Sequence, residues 1–245
     1  ITDYPIKNGC ITNWGEMEKI IHYALYEQLK VDPMDHPILI TEAQTDPRIN
    51  RDKIVEIMFE CFNVPSLYFG NQPALSLYSS GRTSGFVFDV GDNFTHAVPI
   101  FDGYPISNAA SSFNMAGNDL TNWLQKMTKI KKHEVVRVIK EKFCYVAFNY
   151  DSEIEKVKSS SYDCSASYSI LNNEITIKEE RFICPEFLFK PQMNGYFFDG
   201  IHKFLFKTIN KCDFNVHDEL YSNIVLCGGT TMFNGFTERF KKEIT

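Results

Sequence analysis

Two aspartates and a histidine surround a glycine in the stretch DVGDNFTH, at Asp89, Gly91, Asp92 and His96. Consecutive backbone N–H groups around a glycine turn form a concave site that suits an anion such as a phosphate. A carboxylate beside such a site can hold Mg²⁺ or Ca²⁺, directly or through water, because these cations prefer oxygen ligands. The residue types therefore indicate binding of a phosphate and a divalent cation. The alternative is an ordinary surface hairpin with a polar turn, because the pattern D-x-G-D is short and common by chance.

A second pair of glycines, Gly228 and Gly229, follows the apolar run Ser222–Leu226 and precedes a segment with helical periodicity that ends near Ile244. A strand, a double glycine and the start of a helix together favour a bound phosphate, because glycine allows close backbone approach and a helix N-terminus attracts negative charge. A tight turn between a strand and a helix, without any ligand, is an equally good interpretation of this stretch.

The first of these stretches lies between two apolar runs, Gly85–Asp89 and Thr95–Phe101. The short link Val90–Phe94 contains glycine, aspartate and asparagine, which tolerate the backbone angles of tight turns. The pattern predicts a β-hairpin that presents Asp89 and Asp92 at its tip.

The rest of the chain alternates between strand and helix patterns. Apolar periodicity predicts helices over residues 14–29, 48–62, 73–79, 120–127, 134–143 and 201–209, and strands over residues 37–41 and 66–69. Strand followed by helix, repeated, predicts a layered α/β fold with a largely parallel sheet. We also expect a loop over residues 159–169, a hairpin of Tyr168–Ile170 with Ile175–Ile177, and a helical segment that begins at Pro185.

Composition narrows the class of protein. The chain has 25 basic and 31 acidic residues, for a net charge of −6, which argues against general affinity for nucleic acid or an anionic membrane. No apolar run is long enough to cross a bilayer. The seven cysteines are scattered without any C-x-x-C pair, which is typical of reduced thiols in a cytosolic protein.

Taken together, these stretches resemble the actin family. GRTSGFVFDVGDNFTHAVPI and LCGGTTMFNG carry the resemblance most specifically, and HPILITEA, IMFECFNVPSLY and KCDFNVHDELYSNIV follow the same family order. The resemblance implies an α/β actin-like ATPase fold of two lobes, with ATP or ADP and Mg²⁺ or Ca²⁺ in the cleft between them. It assigns residues 1–79 to part of subdomain 1, residues 80–115 and 197–245 to subdomain 3, and residues 116–196 to subdomain 4 of the outer lobe.

The resemblance also implies roles for particular residues. Gln72 and His96 match the groups that orient the attacking water, and Asp89 matches the carboxylate near the metal and its waters. The positions that match nucleotide contacts are Asp89, Gly91, Asp92, Asn93, Phe94, Gly117, Arg137, Lys140, Glu141, Gly228, Gly229, Thr230, Met232 and Phe233. Each residue also has a purely structural interpretation: Gln72 as a residue at a helix start, His96 as a histidine of the core, and Lys140 as part of a solvated helix face.

Family membership would imply slow ATP hydrolysis coupled to assembly, self-association or association with other actin subunits, and contact with actin-binding proteins. It would place the protein in the cytoplasm, in the cytoskeleton, without nucleic-acid partners or membrane insertion. Two rival interpretations are a non-polymerising scaffold, or non-functional copy, and a small-molecule kinase of the same superfamily.

Departures from the family pattern weaken the expectation of activity. The family's first phosphate-binding hairpin and its C-terminal segment have no counterpart here, so we expect a fold that is incomplete at both ends. Asn93 stands at a turn glycine of the family, which strains the turn because asparagine only tolerates what glycine adopts freely. Pro73 follows Gln72 at the joint between the lobes and is expected to stiffen it.

Overall fold

The computed structural model describes residues 5–7, 10–42, 48–159, 163–170 and 173–245. The first described elements are the short antiparallel strands β1 (Ile6–Lys7) and β2 (Cys10–Ile11). Helix α1 (Trp14–His22) begins after Asn13, whose side chain accepts the Glu16 N–H at 3.2 Å, and it continues as a π-helix over Tyr23–Leu29. The predicted helix over residues 14–29 is therefore confirmed, including its cap.

A two-stranded parallel sheet follows. Strand β3 (Ile38–Glu42) pairs with β4 (Leu67–Asn71), and helix α2 (Arg48–Glu56) with its π-helical extension Ile57–Cys61 connects them. A small apolar cluster lies between this sheet and the helices, with Leu25, Ile54, Ile57, Met58, Phe62 and Val64 buried in it.

Helix α3 (Gln72–Ser79) leads from this first sheet to a larger one, and Pro73 lies in its first turn, where proline is tolerated. In the larger sheet, β5 (Gly85–Val90) pairs antiparallel with β6 (Thr95–Phe101), and β6 pairs antiparallel with β7 (Tyr104–Pro105) and β8 (Ser111–Phe113). Strand β11 (Ile224–Cys227) joins the other side of β5 in parallel.

The expectation of a largely parallel sheet is therefore wrong, because the larger sheet is mixed. The connection from β5 to β6 has only four residues, 91–94, and so short a link can join only antiparallel strands. The predicted β-hairpin itself is confirmed.

Helices cover the larger sheet around one extended core. They are α4 (Gly117–Thr128), α5 (His133–Phe143), α7 (Glu180–Glu186), α8 (Ile201–Ile209), α9 (His217–Ser222) and α10 (Phe236–Ile244). Phe86 and Phe88 of β5 are fully buried in this core, where Phe88 stacks on Phe240 of α10 with ring centroids 5.3 Å apart. The core therefore holds the hairpin strands firmly from one side.

The segment between α5 and α8 differs from the predictions. Helix α6 (Tyr150–Lys158) was not expected, and strand β9 (Ala166–Ile170) occupies the end of the predicted loop. β9 pairs with β10 (Asn173–Ile177), so the predicted hairpin is confirmed and is longer than expected. Residues 160–162 of the predicted loop and 171–172 of the predicted turn lie outside the described residues.

Pro185 lies near the end of α7 and not at its start. A proline inside a helix cannot donate to the carbonyl four residues earlier, which here belongs to Arg181. That carbonyl instead accepts the N–H of Tyr145, at 3.0 Å, from the segment after α5. The helix tolerates proline because another part of the chain supplies the missing donor. Within the described residues, no helix is long and apolar enough to span a membrane.

Candidate functional site

The turn between β5 and β6 is built by a few backbone hydrogen bonds. Asp89 lies opposite His96 in the register of the two strands, and the Gly91 N–H donates to the Phe94 carbonyl at 2.9 Å. The backbone N–H groups of Asp92 and Asn93 donate to no acceptor in the described ranges. The turn therefore leaves two neighbouring donors for water or a ligand.

Two other stretches of chain are fastened to this turn. The Gly91 carbonyl accepts the Gly117 N–H at 3.0 Å and the Thr230 hydroxyl at 2.7 Å, and the Asp92 carbonyl accepts the Asn118 N–H at 2.7 Å. The start of α4 and the loop after β11 thus meet at one carbonyl of the hairpin. Residues that are far apart in sequence are brought within a few ångströms of one another.

Close approach at this junction requires glycine at two positions. A Cβ on Gly117 would lie 2.7 Å from the Thr230 hydroxyl oxygen, and a Cβ on Gly228 would overlap the Asp89 carboxylate. Gly228 also has a φ of +86°, which other residues adopt only with strain. These glycines are therefore needed for packing, whether or not a ligand is bound.

A cavity of about 380 Å³ lies at this junction, within the volume range of small-ligand sites. Its lining consists of Gly91, Asp92, Lys140, Glu141, Gly229, Thr230, Met232 and Phe233. All of these residues belong to the set that the resemblance assigns to nucleotide contacts. The arrangement combines backbone donors, one cation, two carboxylates and two apolar side chains.

Lys140 connects helix α5 to helix α4 beside the cavity. Its ammonium donates to the Gly117 carbonyl at 2.7 Å and to the Thr121 hydroxyl at 2.8 Å, and the side chain is almost fully buried. Burial lowers the pKa of Lys140, and the nearby Asp92 carboxylate opposes that shift. The ammonium therefore fixes the first turn of α4 as well as lining the cavity.

A sequence model of the family described as Actin matches residues 2–132 and 124–245 of the chain. The chain belongs to the actin family. The actin-like α/β fold that the resemblance implied is confirmed, with mixed sheets flanked by helices. The two matches overlap over residues 124–132, at the end of α4 and in the link to α5.

In this actin-family chain, Asp89 and His96 form a half-buried pair at the end of the hairpin strands. Burial raises the pKa of Asp89, and the positive charge that His96 can carry opposes this. Burial lowers the pKa of His96, and the Asp89 carboxylate opposes that shift in turn. The His96 Nδ1 atom is buried and has no hydrogen-bond partner among the described residues. A neutral imidazole with an unused ring nitrogen is able to bind a water molecule.

Some residues of the predicted set lie away from the cavity. The Gln72 side-chain amide donates to the Thr41 hydroxyl at 3.2 Å, at the end of β3, and Arg137 forms an ion pair with Glu134 at 2.9 Å. Neither residue lines the cavity, nor do Asp89 and His96. Asn93 and Gly228 are next in sequence to the lining residues Asp92 and Gly229, and Phe94 and Gly117 form backbone hydrogen bonds with the lining residue Gly91.

Two residues at the site were not anticipated from the sequence. The Asp119 carboxylate accepts the Ala116 N–H at 3.0 Å and so caps the start of α4, and Thr121 receives the Lys140 ammonium. Burial raises the pKa of Asp119, against the effect of that backbone hydrogen bond. An acidic residue directly before the predicted helix of residues 120–127 was the available signal for Asp119.

The carboxylates of Asp89 and Asp92 fit a divalent cation that is also coordinated by phosphate oxygens of a bound ligand. Within the part of the chain that the structure describes, no group of three or more His, Cys, Asp or Glu side chains could enclose a metal ion. Mg²⁺ usually keeps several waters and binds through one or two carboxylates plus phosphate oxygens. Asp89, with Asp92 beside the cavity, suits that type of site.

Proposed function

We propose that this actin-family chain binds ATP or ADP, together with Mg²⁺ or Ca²⁺, in the cavity between the hairpin turn, helix α5 and the loop after β11. One observation carries the proposal: the turn, with its two available backbone donors, is joined by the Gly91 carbonyl to the α4 start and to the glycine loop. Such an arrangement holds the N–H groups in place before an anion binds, which lowers the entropic cost of ordering them on binding.

Individual residues then take distinct parts. The Asp92 and Asn93 amides of the turn hold the outer phosphates, and the Gly229–Thr230 backbone approaches the phosphate nearer the sugar. Met232 and Phe233 provide apolar surface for the base, and the exposed Glu141 carboxylate accepts from the sugar hydroxyls. The divalent cation, when bound, neutralises phosphate charge, and the Asp89 carboxylate holds it through water.

For ATP hydrolysis, we propose that His96 and Gln72 orient the attacking water. The unused, buried Nδ1 of His96 supports a role in binding water, and phosphoryl transfer depends mainly on such positioning. Gln72 lies at the junction of the two sheets, where its amide contacts Thr41. Its participation requires the two sheets to approach each other in the active form.

We further propose self-association into filaments or with actin subunits, and binding of actin-binding proteins, in the cytoplasmic cytoskeleton. Large apolar side chains on the surface support the proposal that the chain binds other proteins. Among them are Phe197, Phe214 and Tyr104, which are 102%, 84% and 77% exposed. The division into residues 1–79, 80–115 with 197–245, and 116–196 as subdomains 1, 3 and 4 stays part of this proposal.

Calorimetric titration of the chain with Mg-ATP tests the binding proposal directly. Glu141→Ala should weaken Mg-ATP by about 10-fold, the typical effect of a lost hydrogen bond to a charged group. Glu155→Ala, which removes an exposed carboxylate of α6 that does not line the cavity, is the matched control and should bind as the wild type does.

Met232→Ala and Met193→Ala form a second matched pair, because both methionines are exposed but only Met232 lines the cavity. Met232→Ala should weaken both ATP and adenosine, whereas Met193→Ala should weaken neither. A folded wild-type chain that takes up no nucleotide would refute the proposal. Pelleting in polymerising salt, with and without nucleotide, then tests assembly separately.

A further inference from the structure

Thr230 is the residue at which the segments around the cavity converge. Its hydroxyl donates to the Gly91 carbonyl at 2.7 Å, and the residue is 7% exposed. Gly117 approaches it so closely that an added Cβ would lie 2.7 Å from the hydroxyl oxygen. One side chain therefore contacts both the turn and the start of α4.

We propose that Thr230 is a positioning residue for a bound phosphate chain: its hydroxyl holds the turn of residues 91–93 in place against the glycine loop. This inference rests on the proposed nucleotide function and names the group that fixes the phosphate end of that site. Thr230 acts through the turn, whose amides would contact the phosphates, and its side-chain oxygen is committed to Gly91.

The turn needs such an anchor because it is weakly braced from within. Its own backbone bond is the one from Gly91 to Phe94, and Asp92 and Asn93 at the tip are exposed. The φ of Asn93 is not positive, so the strain expected where the family has a turn glycine is absent. Anchors from outside the turn therefore decide how well the amides are pre-arranged, and pre-arranged donors bind an anion more tightly than mobile ones.

The external anchors are of two kinds. From α4, the Gly117 and Asn118 backbone N–H groups donate to the Gly91 and Asp92 carbonyls. From the glycine loop, the described anchor is the Thr230 side chain. Because it is a side chain, it can be removed by substitution without changing the backbone.

Thr231 provides the matched control. Its hydroxyl donates to the Gly228 carbonyl at 2.8 Å, within the same loop, and it does not line the cavity. Thr230→Val and Thr231→Val each replace a hydroxyl by a methyl group of similar size. Only the first removes a bond to the hairpin turn.

The experiment compares Mg-ATP with adenosine by calorimetric titration of the wild type, Thr230→Val, Thr230→Ser and Thr231→Val. Thr230→Val should weaken Mg-ATP by about 3- to 10-fold, the usual effect of one hydrogen bond. Its affinity for adenosine should stay within about 2-fold of the wild type, because adenosine has no phosphate for the turn to hold. Thr230→Ser and Thr231→Val should bind both ligands as the wild type does.

A loss in Thr230→Val that is equal for ATP and adenosine would overturn the inference, because it would mean general damage to the cavity. Unchanged ATP affinity, or the same ATP loss in Thr231→Val, would also overturn it. If Thr230→Val does not fold by circular dichroism, Thr230→Ala is judged by the same comparison of ligands. A wild type that binds neither ligand refutes the proposed function itself, whereas a wild type that binds ATP beside an insensitive Thr230→Val refutes only the role of Thr230.

Discussion

The two sheets of this protein differ in how completely the rest of the chain covers them. In β5 of the larger sheet, Phe86, Val87 and Phe88 are all 0% exposed, so helices or strands cover both faces. In the smaller sheet, every second residue of β3 is exposed, and Leu39 of β3 and Tyr68 of β4 are 54% and 66% exposed. The larger sheet behaves as a domain core, whereas the smaller one is a half-covered layer.

This difference bears on function because the candidate site belongs mainly to the larger sheet. The hairpin turn, the α4 start and the glycine loop all rise from strands or helices packed on the extended core. The smaller sheet contributes Gln72, through its contact with Thr41. Binding residues thus lie on the firmly packed region, and one proposed catalytic residue lies at its boundary with the less covered one.

The largest contrast is expected from truncating one side chain in each sheet. Phe88→Ala should lower the free energy of unfolding by about 3–5 kcal/mol, because it removes a buried ring and leaves a cavity. Leu39→Ala should cost less than about 1 kcal/mol, because the leucine is already more than half exposed. Urea denaturation followed by circular dichroism measures both. Similar losses in the two variants would contradict the contrast in packing.

The second contrast concerns an ion pair in each region. Arg239 donates to both carboxylate oxygens of Glu186, at 2.9 and 3.1 Å, and both side chains are buried. Arg239→Met should cost about 3 kcal/mol or more, because it removes both hydrogen bonds to the buried Glu186 carboxylate and leaves the Lys190 ammonium 3.8 Å away.

Arg51→Met, which breaks the partly exposed pair with Glu42 beside the smaller sheet, should cost less than about 1 kcal/mol. Restoring stability in Arg239→Met by adding Glu186→Gln would show that the buried charge causes the loss. A loss that the second substitution does not reduce would point to packing instead.

The two tryptophans allow the regions to be followed separately. Trp14 packs against the apolar cluster of the smaller sheet, and Trp123 packs against the extended core. In the single-tryptophan variants Trp123→Phe and Trp14→Phe, the Trp14 fluorescence should change at lower urea than the Trp123 fluorescence, by roughly 1–2 kcal/mol in stability. Coincident transitions would mean that the two sheets unfold as one cooperative unit.

The sequence predicted the local elements of the site better than their assembly. The hairpin and the helix cap at Asn13 follow from adjacent residues, and both are present. The helix start expected directly after Gly228 and Gly229 is wrong, because a 3₁₀ turn over Gly229–Met232 comes first and α10 begins at Phe236. The bond from Thr230 to Gly91 joins residues 139 positions apart, and no local pattern indicates such a contact. The resemblance to actin assigned these residues to one nucleotide-binding set, but it did not indicate which of them are joined by hydrogen bonds.

The errors have identifiable physical causes. Helix α6 was missed because its apolar face is short, with only the partly buried Tyr150, Ile154 and Val157, although Asn149 caps the helix by accepting the Ser152 N–H. Pro185 was placed at a helix start because proline is favoured there, and the sequence does not show that Tyr145 would bind the carbonyl it leaves unpaired. The parallel sheet was over-predicted because the strand–helix repeats in the first part of the chain were taken to describe the whole fold, although the predicted hairpin is antiparallel.

The smallest effect on stability, and the sharpest link to function, is expected at Asp89. Burial raises the pKa of this carboxyl, so its protonated form is favoured in the folded state. The stability that it contributes is present below its ordinary pKa of 3.8 and is lost as the pH rises through the higher folded value. At pH 7, Asp89→Asn should therefore unfold at a slightly higher temperature than the ligand-free wild type, by less than about 1 kcal/mol in stability. Asp52→Asn, on the exposed surface of α2, should change nothing.

Mg-ATP should reverse the order of the melting temperatures of the wild type and Asp89→Asn. A ligand that binds only the folded state adds about 2.7 kcal/mol at 100 times its dissociation constant. If Asp89 holds the cation, the wild type and Asp52→Asn gain this stability, and Asp89→Asn gains much less. Thermal unfolding with and without Mg-ATP at pH 7 would then show a crossing of melting temperatures. Equal gains in all three proteins would remove Asp89 from the cation site, and the small stability difference without ligand would then be only a consequence of burial.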